Sequence, residues 1–128
     1  MNIGTFIPIA AELDIAGLLW QPEIGDEVST RVNPEHISIL VDPQGLRPDE
    51  LREIYVWLPS VEQMVFQIEA RQAVLFHAGL EMDPASFGYK AIIRAREGQI
   101  EHSAESLRTA LGLGLRDLLL EDYSYSIH

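Results

Sequence analysis

Apolar residues recur at helical spacing between residues 103 and 122, and this is the clearest hydrophobic pattern in the chain. The residues of the apolar face are Leu107, Ala110, Leu111, Leu115, Leu118 and Leu119. The spacing predicts an amphipathic helix. Ser106 is its expected N-cap, because the hydroxyl can accept from the free N–H groups of the first turn. Burying one leucine side chain is worth roughly 1.5–3 kcal/mol, so we expect this face to pack on a sheet.

The remaining residues of the predicted helix lie on its other faces. The residues opposite the leucines, which we expect to be exposed, are Arg108, Thr109, Gly112 and Arg116. Leu113 and Leu120 lie off the leucine face, and they either widen the buried face or form a second contact. Glycine weakens a helix by up to roughly 1 kcal/mol relative to alanine. A close neighbouring backbone would explain Gly114, whereas Gly112 equally fits an exposed position.

Alternating β-branched residues predict a hairpin earlier in the chain. Its clearest strand is His36–Val41. Residues 24–32 are a turn that leads into the preceding strand, which Asn33-Pro34-Glu35 ends. After the hairpin, Asp42-Pro43-Gln44-Gly45 fits a type I turn, with aspartate first, proline second and glycine fourth. The pattern therefore predicts two antiparallel strands followed by a tight turn.

Two helices are predicted next. Pro48 suits the first position of a helix, and the two acids that follow it suit the first turn; this helix ends by Trp57. Ser60 and Gln63 have the spacing of a capping box for the second helix. The apolar stripe of that helix consists of Val61, Met64, Val65 and Ile68.

Residues 73–82 allow two interpretations. The helix from Ser60 could continue to about Leu80, or Ala73–Met82 could be a strand. We favour the strand, because its apolar residues share one parity; they are Val74, Phe76, Leu80 and Met82. Residues 89–95 form a strand in either case, and residues 100–102 form a third short strand or a loop.

The first 24 residues have the weakest pattern. Residues 5–9 fit an edge strand or an extended arm. Ala10–Leu19 fits a short helix, although Leu18–Trp20 could also begin a strand. Pro22 favours extended geometry at the residue before it, so it ends whichever element precedes it.

These elements predict an α+β fold in which helices pack on an antiparallel sheet, with an αββ(β)α order in the C-terminal half. The length of 128 residues predicts a single domain. Within it, residues 1–19 are an arm or a helix, residues 20–56 a hairpin plus a short helix, and residues 57–128 a helix–hairpin–helix unit.

The segment 57–120 resembles known families. Its Trp-Leu-Pro-Ser helix start at residues 57–60 and its closing Ala-Leu-rich helix from Ser106 resemble small uncharacterised bacterial and phage proteins. The order of elements is also similar to that of the double-stranded-RNA-binding domain and of the HicB-type antitoxin domain. However, the basic cluster that the RNA-binding domain uses is replaced here by Glu101, His102 and Glu105. The resemblance therefore implies a topology and not an activity.

Charge and composition narrow the choice of partners. The net charge is −11, from 20 acidic and 9 basic residues, so the chain repels phosphate and makes nucleic acid a poor partner. Because there is no cysteine, disulfides and thiolate sites are excluded, which suits a cytoplasmic location. The first 20 residues lack the features of a signal peptide, and no run reaches the roughly 18 apolar residues of a membrane span.

The candidate chemistry is sparse. The four histidines, at positions 36, 77, 102 and 128, lie too far apart in sequence for a helical metal pair, so we expect no metal and no cofactor. His77, with nearby carboxylates, is a catalytic candidate, although a structural histidine is the simpler interpretation. Phosphate-binding and nucleophile-elbow motifs are absent from the sequence.

Four residues of the last helix are candidates for binding: Arg108, Arg116, Leu113 and Leu120. The arginines could bind an acidic or phosphate-bearing partner, or they could pair internally with acids such as Glu105. The leucines, together with Phe66 and the two tryptophans, could form an apolar patch for a homodimer. We therefore expect a cytoplasmic protein-interaction or regulatory module; the alternatives are a small enzyme that uses His77 and a nucleic-acid-binding domain.

The charge generates the first prediction. A protein of net charge −11 should not shift duplex RNA or DNA in a gel assay at physiological salt. Micromolar binding that weakens steeply as salt is added would contradict this expectation.

Overall fold

The computed structural model describes residues 3–82, 87–96 and 98–127. A 3-10 turn at Ile3–Thr5 comes first. The other elements are α1 (Ile7–Ile15), β1 (Glu27–Thr30), β2 (Ile37–Ile39), α2 (Pro48–Ile54), β3 (Tyr55–Trp57), α3 (Val61–Ala70), β4 (Val74–Met82), β5 (Phe87–Ala95), β6 (Gly98–Ala104) and α4 (Leu107–Ile127). Helices and antiparallel strands are combined in one chain, so the predicted α+β class is confirmed.

The strands form two antiparallel sheets, where the sequence analysis expected one. The first has the order β2-β1-β3 and the second the order β4-β5-β6. The hairpin of β1 and β2 is confirmed, and so is the strand interpretation of Ala73–Met82, which is β4. Strand β3 was not predicted, because a three-residue strand directly after a helix is too short to show a period of two.

The leucine face of α4 lies in the main core, as predicted. Ala110, Leu111, Leu115, Leu118 and Leu119 are all buried, whereas Leu107 is only partly buried. They pack against the buried residues of α3 and of the β4-β5-β6 sheet, which are Met64, Ile68, Ala91, Ile93 and Ile100. The sheet and α3 thus cover one side of α4.

The expectation that the opposite face of α4 is exposed was wrong. Helix α1 packs on that face, so Arg108 is only 7% exposed and Gly112 is buried. A Cβ atom at Gly112 would lie 2.8 Å from Ile9 Cγ2 and 2.9 Å from Phe6 Cε1. The close neighbour at Gly114 is the side chain of Ile93, at 2.7 Å, and not a backbone segment. Each glycine therefore lets a neighbouring side chain approach the helix axis.

The N-terminal segment is helical, so the strand or arm expected at residues 5–9 was wrong. Pro8 lies in the first turn of α1, where its missing N–H leaves no hydrogen bond unmade. After α1 the chain enters a second, smaller core, which consists of Trp20, Val28, Leu40 and Leu51. This core lies between the β2-β1-β3 sheet and α2.

The tight turn before α2 is shifted by one residue from the predicted type I turn at 42–45. The N–H of Leu46 donates to the carbonyl of Pro43 at 2.9 Å. The two central residues, Gln44 and Gly45, have φ values of 54° and 76°. Positive φ at both positions is typical of a type I′ turn and is incompatible with type I. The Asp42 carboxylate, which accepts from the N–H of Gln44 at 2.8 Å, stabilises this arrangement.

A bulge in β4 divides its apolar residues between two faces. The register with β5 shifts between Leu75 and His77. Val74 pairs with Arg94 on the outer face of the sheet, whereas Leu80 pairs with Tyr89 on the face that bears α4. The shared parity of the apolar residues correctly indicated a strand, but it does not correspond to a shared face.

The predicted helix caps are present. In α3, Ser60 Oγ accepts from the N–H of Gln63 at 3.1 Å, and Gln63 Oε1 accepts from the N–H of Ser60 at 2.9 Å. At the start of α4, Ser106 Oγ accepts from the N–H of Thr109 at 3.1 Å. These bonds depend on residues three positions apart, which is why the sequence pattern alone could indicate them.

Substitutions on α4 test the position of the core. Leu115 is fully buried, so Leu115→Ala should lower the free energy of unfolding by roughly 2–5 kcal/mol in a urea titration. Leu120, on the same helix, is 48% exposed, and Leu120→Ala is the matched control with a small expected effect. Similar losses for the two variants would mean that the leucine face is not the core.

Candidate functional site

The predicted binding residue Arg108 is buried and forms only internal contacts. Its Nε donates to the carbonyl of Pro59 at 2.9 Å, and its Nη2 donates to the carbonyl of Leu58 at 2.6 Å. Its Nη1 lies 2.9 Å from Glu27 Oε1. The guanidinium also lies over the ring of Phe6, 4.6 Å from the centroid. Arg108 therefore holds α4 against β1, β3 and α1, and its partner is Glu27 instead of the expected Glu105.

Arg116 also forms ion pairs within the chain. Its Nη1 lies 2.9 Å from Glu12 Oε2 on α1, and its Nη2 lies 3.0 Å from Asp117 Oδ1. The hydrogen bond with Glu12 raises the pKa of Arg116 above its usual value. Both arginines proposed as a binding pair thus join α4 to its neighbours, and they do not form one exposed basic surface.

The catalytic candidate His77 lies at the β4 bulge, opposite Ile92 on the outer face of the sheet. Its Nε2 is 3.2 Å from Glu81 Oε1 on the same strand, without the geometry of a hydrogen bond. Lys90 Nζ lies 3.1 Å from Glu101 Oε1 on this face, and the hydrogen bond and charge of Glu101 raise the pKa of Lys90. This is a sheet face with scattered ion pairs, which is the arrangement of a solvated surface.

The two candidate leucines differ in exposure. Leu113 is partly buried, whereas Leu120 is 48% exposed. Phe66, which the sequence analysis grouped with them, is 68% exposed on α3. Of this group, Leu120 and Phe66 are thus the residues that remain free to contact a partner.

A polar cluster surrounds Asp26, and the sequence pattern did not indicate it. This carboxylate is only 6% exposed. Its Oδ2 accepts from Trp20 Nε1 at 2.8 Å and from the N–H of Glu23 at 3.0 Å, and its Oδ1 accepts from Gln63 Nε2 at 2.8 Å. Asp26 therefore joins the turn before β1 to the N-terminus of α3. The partners of Asp26 lie up to 37 residues away in the chain, so no local sequence pattern could indicate the cluster.

A cleft of about 350 Å³ opens next to this cluster, between β3 and α3. Its lining residues are Gln21, Glu23, Asp26, Trp57, Gln63, Phe66 and Gln67. Trp57 Nε1 is buried and has no hydrogen-bond partner among the described residues. Two further clefts, of about 180 and 320 Å³, lie nearby. His77 lines none of these three clefts.

The edge of the second sheet is the other notable surface. Strand β4 has nine residues and pairs only with β5 in the described sheet. Its exposed large apolar residues are Val74, Phe76, Leu80 and Met82. The opposite edge, β6, exposes Gln99, Glu101 and Ser103 instead. The two edges of one sheet therefore differ sharply in polarity.

Neither a metal centre nor a membrane helix is found in the part of the chain that the structure describes. Within residues 3–82, 87–96 and 98–127, no three histidine or acidic side chains are grouped to hold a metal ion. His102, for example, approaches only Asp117 of α4, at 2.6 Å. No described helix is both long enough and apolar enough to cross a membrane.

Comparison with known proteins adds no family assignment. No family model, no curated protein and no solved structure matches the chain. A proposal for the function therefore rests on the surfaces described above.

The two arginines of α4 provide a test of their structural roles. Arg108→Met would leave the Leu58 and Pro59 carbonyls and the Glu27 carboxylate without their partner. Breaking a buried ion pair costs about 3–5 kcal/mol, so we expect a loss of that size in the free energy of unfolding. Arg116→Met is the matched control, with an expected loss below about 1 kcal/mol because its ion pairs are partly exposed. Equal losses in a urea titration would contradict these roles.

Proposed function

We propose that this protein is an interaction module that acts as a homodimer joined at the edge strand β4. The observation that carries the proposal is the length and apolar character of this unpaired edge. An unpaired strand edge presents a row of free N–H and C=O groups that can pair with another strand. A second copy of β4 is the partner that we propose.

The other edge strands lack this combination of features. Strands β2 and β3 are the edges of the first sheet, and each has only three residues. Strand β6 is longer, but it exposes polar side chains and the acid Glu101. Short or charged edges resist association, whereas a long apolar edge favours it. Among the four edges in the described structure, β4 is thus the best suited to pairing.

The bulge at residues 75–77 gives β4 apolar side chains on both faces of the sheet. Val74 and Phe76 are exposed on the outer face, where the guanidinium of Arg94 stacks on the Phe76 ring at 3.6 Å. Leu80 and Met82 point to the other face but are at least half exposed, so α4 does not cover this end of the strand. In an antiparallel pair, the 74 end of one copy lies beside the 82 end of the other. Each end of the interface between the two β4 strands would then bury apolar side chains on both faces of the sheet.

A two-fold pairing also suits the charge of the chain. Strand β4 contains a single acid, Glu81, although the whole chain has a net charge of −11. Antiparallel pairing of identical strands needs only one self-complementary surface and closes after two copies. Because the two copies repel each other electrostatically, added salt should strengthen the dimer.

The two alternative functions have less support. An enzyme based on His77 would need an enclosed site, whereas His77 lies on a sheet face beside Glu81. A nucleic-acid-binding domain would need exposed basic residues, whereas Arg108 and Arg116 are paired with Glu27, Glu12 and Asp117. A cytoplasmic location remains part of the proposal, and the absence of cysteine supports it.

Light scattering after size exclusion tests the dimer. At micromolar concentration the mass should be twice the chain mass of 14.4 kDa. Leu80→Lys or Val74→Lys should return the mass to that of one chain, because a charge on the edge opposes strand pairing. The circular dichroism spectrum of these variants should be unchanged, since both positions are at least half exposed.

Val32→Lys is the matched control for this experiment. Val32 is 96% exposed in the turn between β1 and β2, so the same charge change is made away from β4. This variant should remain dimeric. A monomeric wild type, or a dimer that both β4 variants leave intact, would refute the proposed interface.

A further inference from the structure

We propose that the cleft between β3 and α3 binds an alkylammonium group that carries an oxygen acceptor close to its charge. The site is separate from the β4 edge and does not depend on dimer formation. Its walls combine the aromatic side chains Trp57 and Phe66 with the carboxylates Asp26 and Glu23. None of the residues that line the cleft is a lysine, arginine or histidine.

The charge of Asp26 has no cationic partner among the described residues. A carboxylate that is 6% exposed is normally paired with a cation. Here its hydrogen-bond donors are a tryptophan indole, a backbone N–H and a glutamine amide, all of which are neutral. No described lysine, arginine or histidine forms an ion pair with it. A cation in the adjacent cleft would supply the missing positive charge, and the exposed acid Glu23 would attract it at the entrance.

Two aromatic side chains lie beside these carboxylates. Trp57 extends from β3 and Phe66 from α3, and both line the cleft. Phe66 is 68% exposed, so it contributes little to the core. Aromatic faces attract ammonium groups through their quadrupole, and tryptophan gives the strongest attraction. Aromatic walls next to carboxylates are the surroundings in which proteins bind quaternary ammonium groups.

Within the described part of the chain, the indole N–H of Trp57 is an unpaired donor at the cleft. Buried donors are almost always hydrogen-bonded, whereas Trp57 Nε1 has no partner among the residues that the structure describes. Because this atom is buried in the free protein, an oxygen acceptor beside the cation would become its partner only when the indole shifts toward the cleft on binding. The combination favours a choline-like molecule, or the ammonium and carbonyl groups of an amino-acid derivative, over a simple amine. A volume of about 350 Å³ is enough for a ligand of this size.

Tryptophan fluorescence of the full chain tests the proposal, because Trp20 and Trp57 are the only tryptophans. The probes are acetylcholine, choline and 3,3-dimethylbutan-1-ol, which has the shape of choline without its charge. We expect saturable changes with the two cations and binding of the neutral probe at least about tenfold weaker than that of choline. N-acetyl-trimethyllysine amide is the fourth probe, because it carries a trimethylammonium group with no oxygen near it: binding weaker than that of choline supports the oxygen acceptor, and binding as tight or tighter overturns it.

Two variants locate the binding site. Phe66→Ala should weaken choline binding by about three- to thirtyfold, which is the range that a cation–π contact provides. Phe76→Ala removes another half-exposed aromatic residue, on β4, and should leave the affinity unchanged. Glu23→Gln should weaken both cations and leave the neutral probe unaffected.

Three results would overturn the proposal. The first is the absence of a saturable response to either cation up to about 10 mM, because the Kd would then be higher than that of even weak binding sites. The second is equal binding of choline and its neutral analogue. The third is an equal loss of affinity in the Phe66 and Phe76 variants, which would place the cation outside the cleft.

Discussion

The buried guanidinium of Arg108 joins parts of the chain that are far apart in sequence. It binds the two consecutive carbonyls that follow β3, the carboxylate of Glu27 in β1 and the ring face of Phe6. All of these contacts are satisfied inside the molecule, which is the condition under which a buried charge is tolerated. The first sheet, α1 and α4 are thereby fixed relative to one another. The cleft between β3 and α3 depends on this arrangement, because the residues that follow β3 lead directly into α3.

Internal pairing of the arginines determines which surfaces are left for function. Arg108 and Arg116 pair with acids of β1, α1 and α4 itself. These two basic side chains are therefore not available to bind a partner. What remains is an apolar strand edge on one sheet and an acidic, aromatic cleft beside the other. The two surfaces suit different partners, namely an identical strand and a small organic cation. The resemblance to RNA-binding and HicB-type domains stays a prediction about topology.

Local patterns in the sequence were enough to predict most elements. The caps at Ser60 and Ser106 involve residues three positions apart, and the leucine face of α4 repeats with the helix period. The strand at Ala73–Met82 was also predicted correctly. The β4 bulge was not, because a one-residue shift depends on the pairing with β5 and leaves no mark on a short apolar run.

Sequence alone determined the fold class, the caps and the buried face of the last helix, because each follows from neighbouring residues and their period. Only the tertiary structure decided the roles of Arg108, Gly112 and Asp26. Helix α1 lies about a hundred positions from α4 in the chain, and its packing there turned a face that looked exposed into a second contact. Asp26 similarly acquired its role from Gln63, 37 residues away. Periodicity indicates which face of an element is apolar. The partner of each side chain on that element depends on the distant element that packs against it.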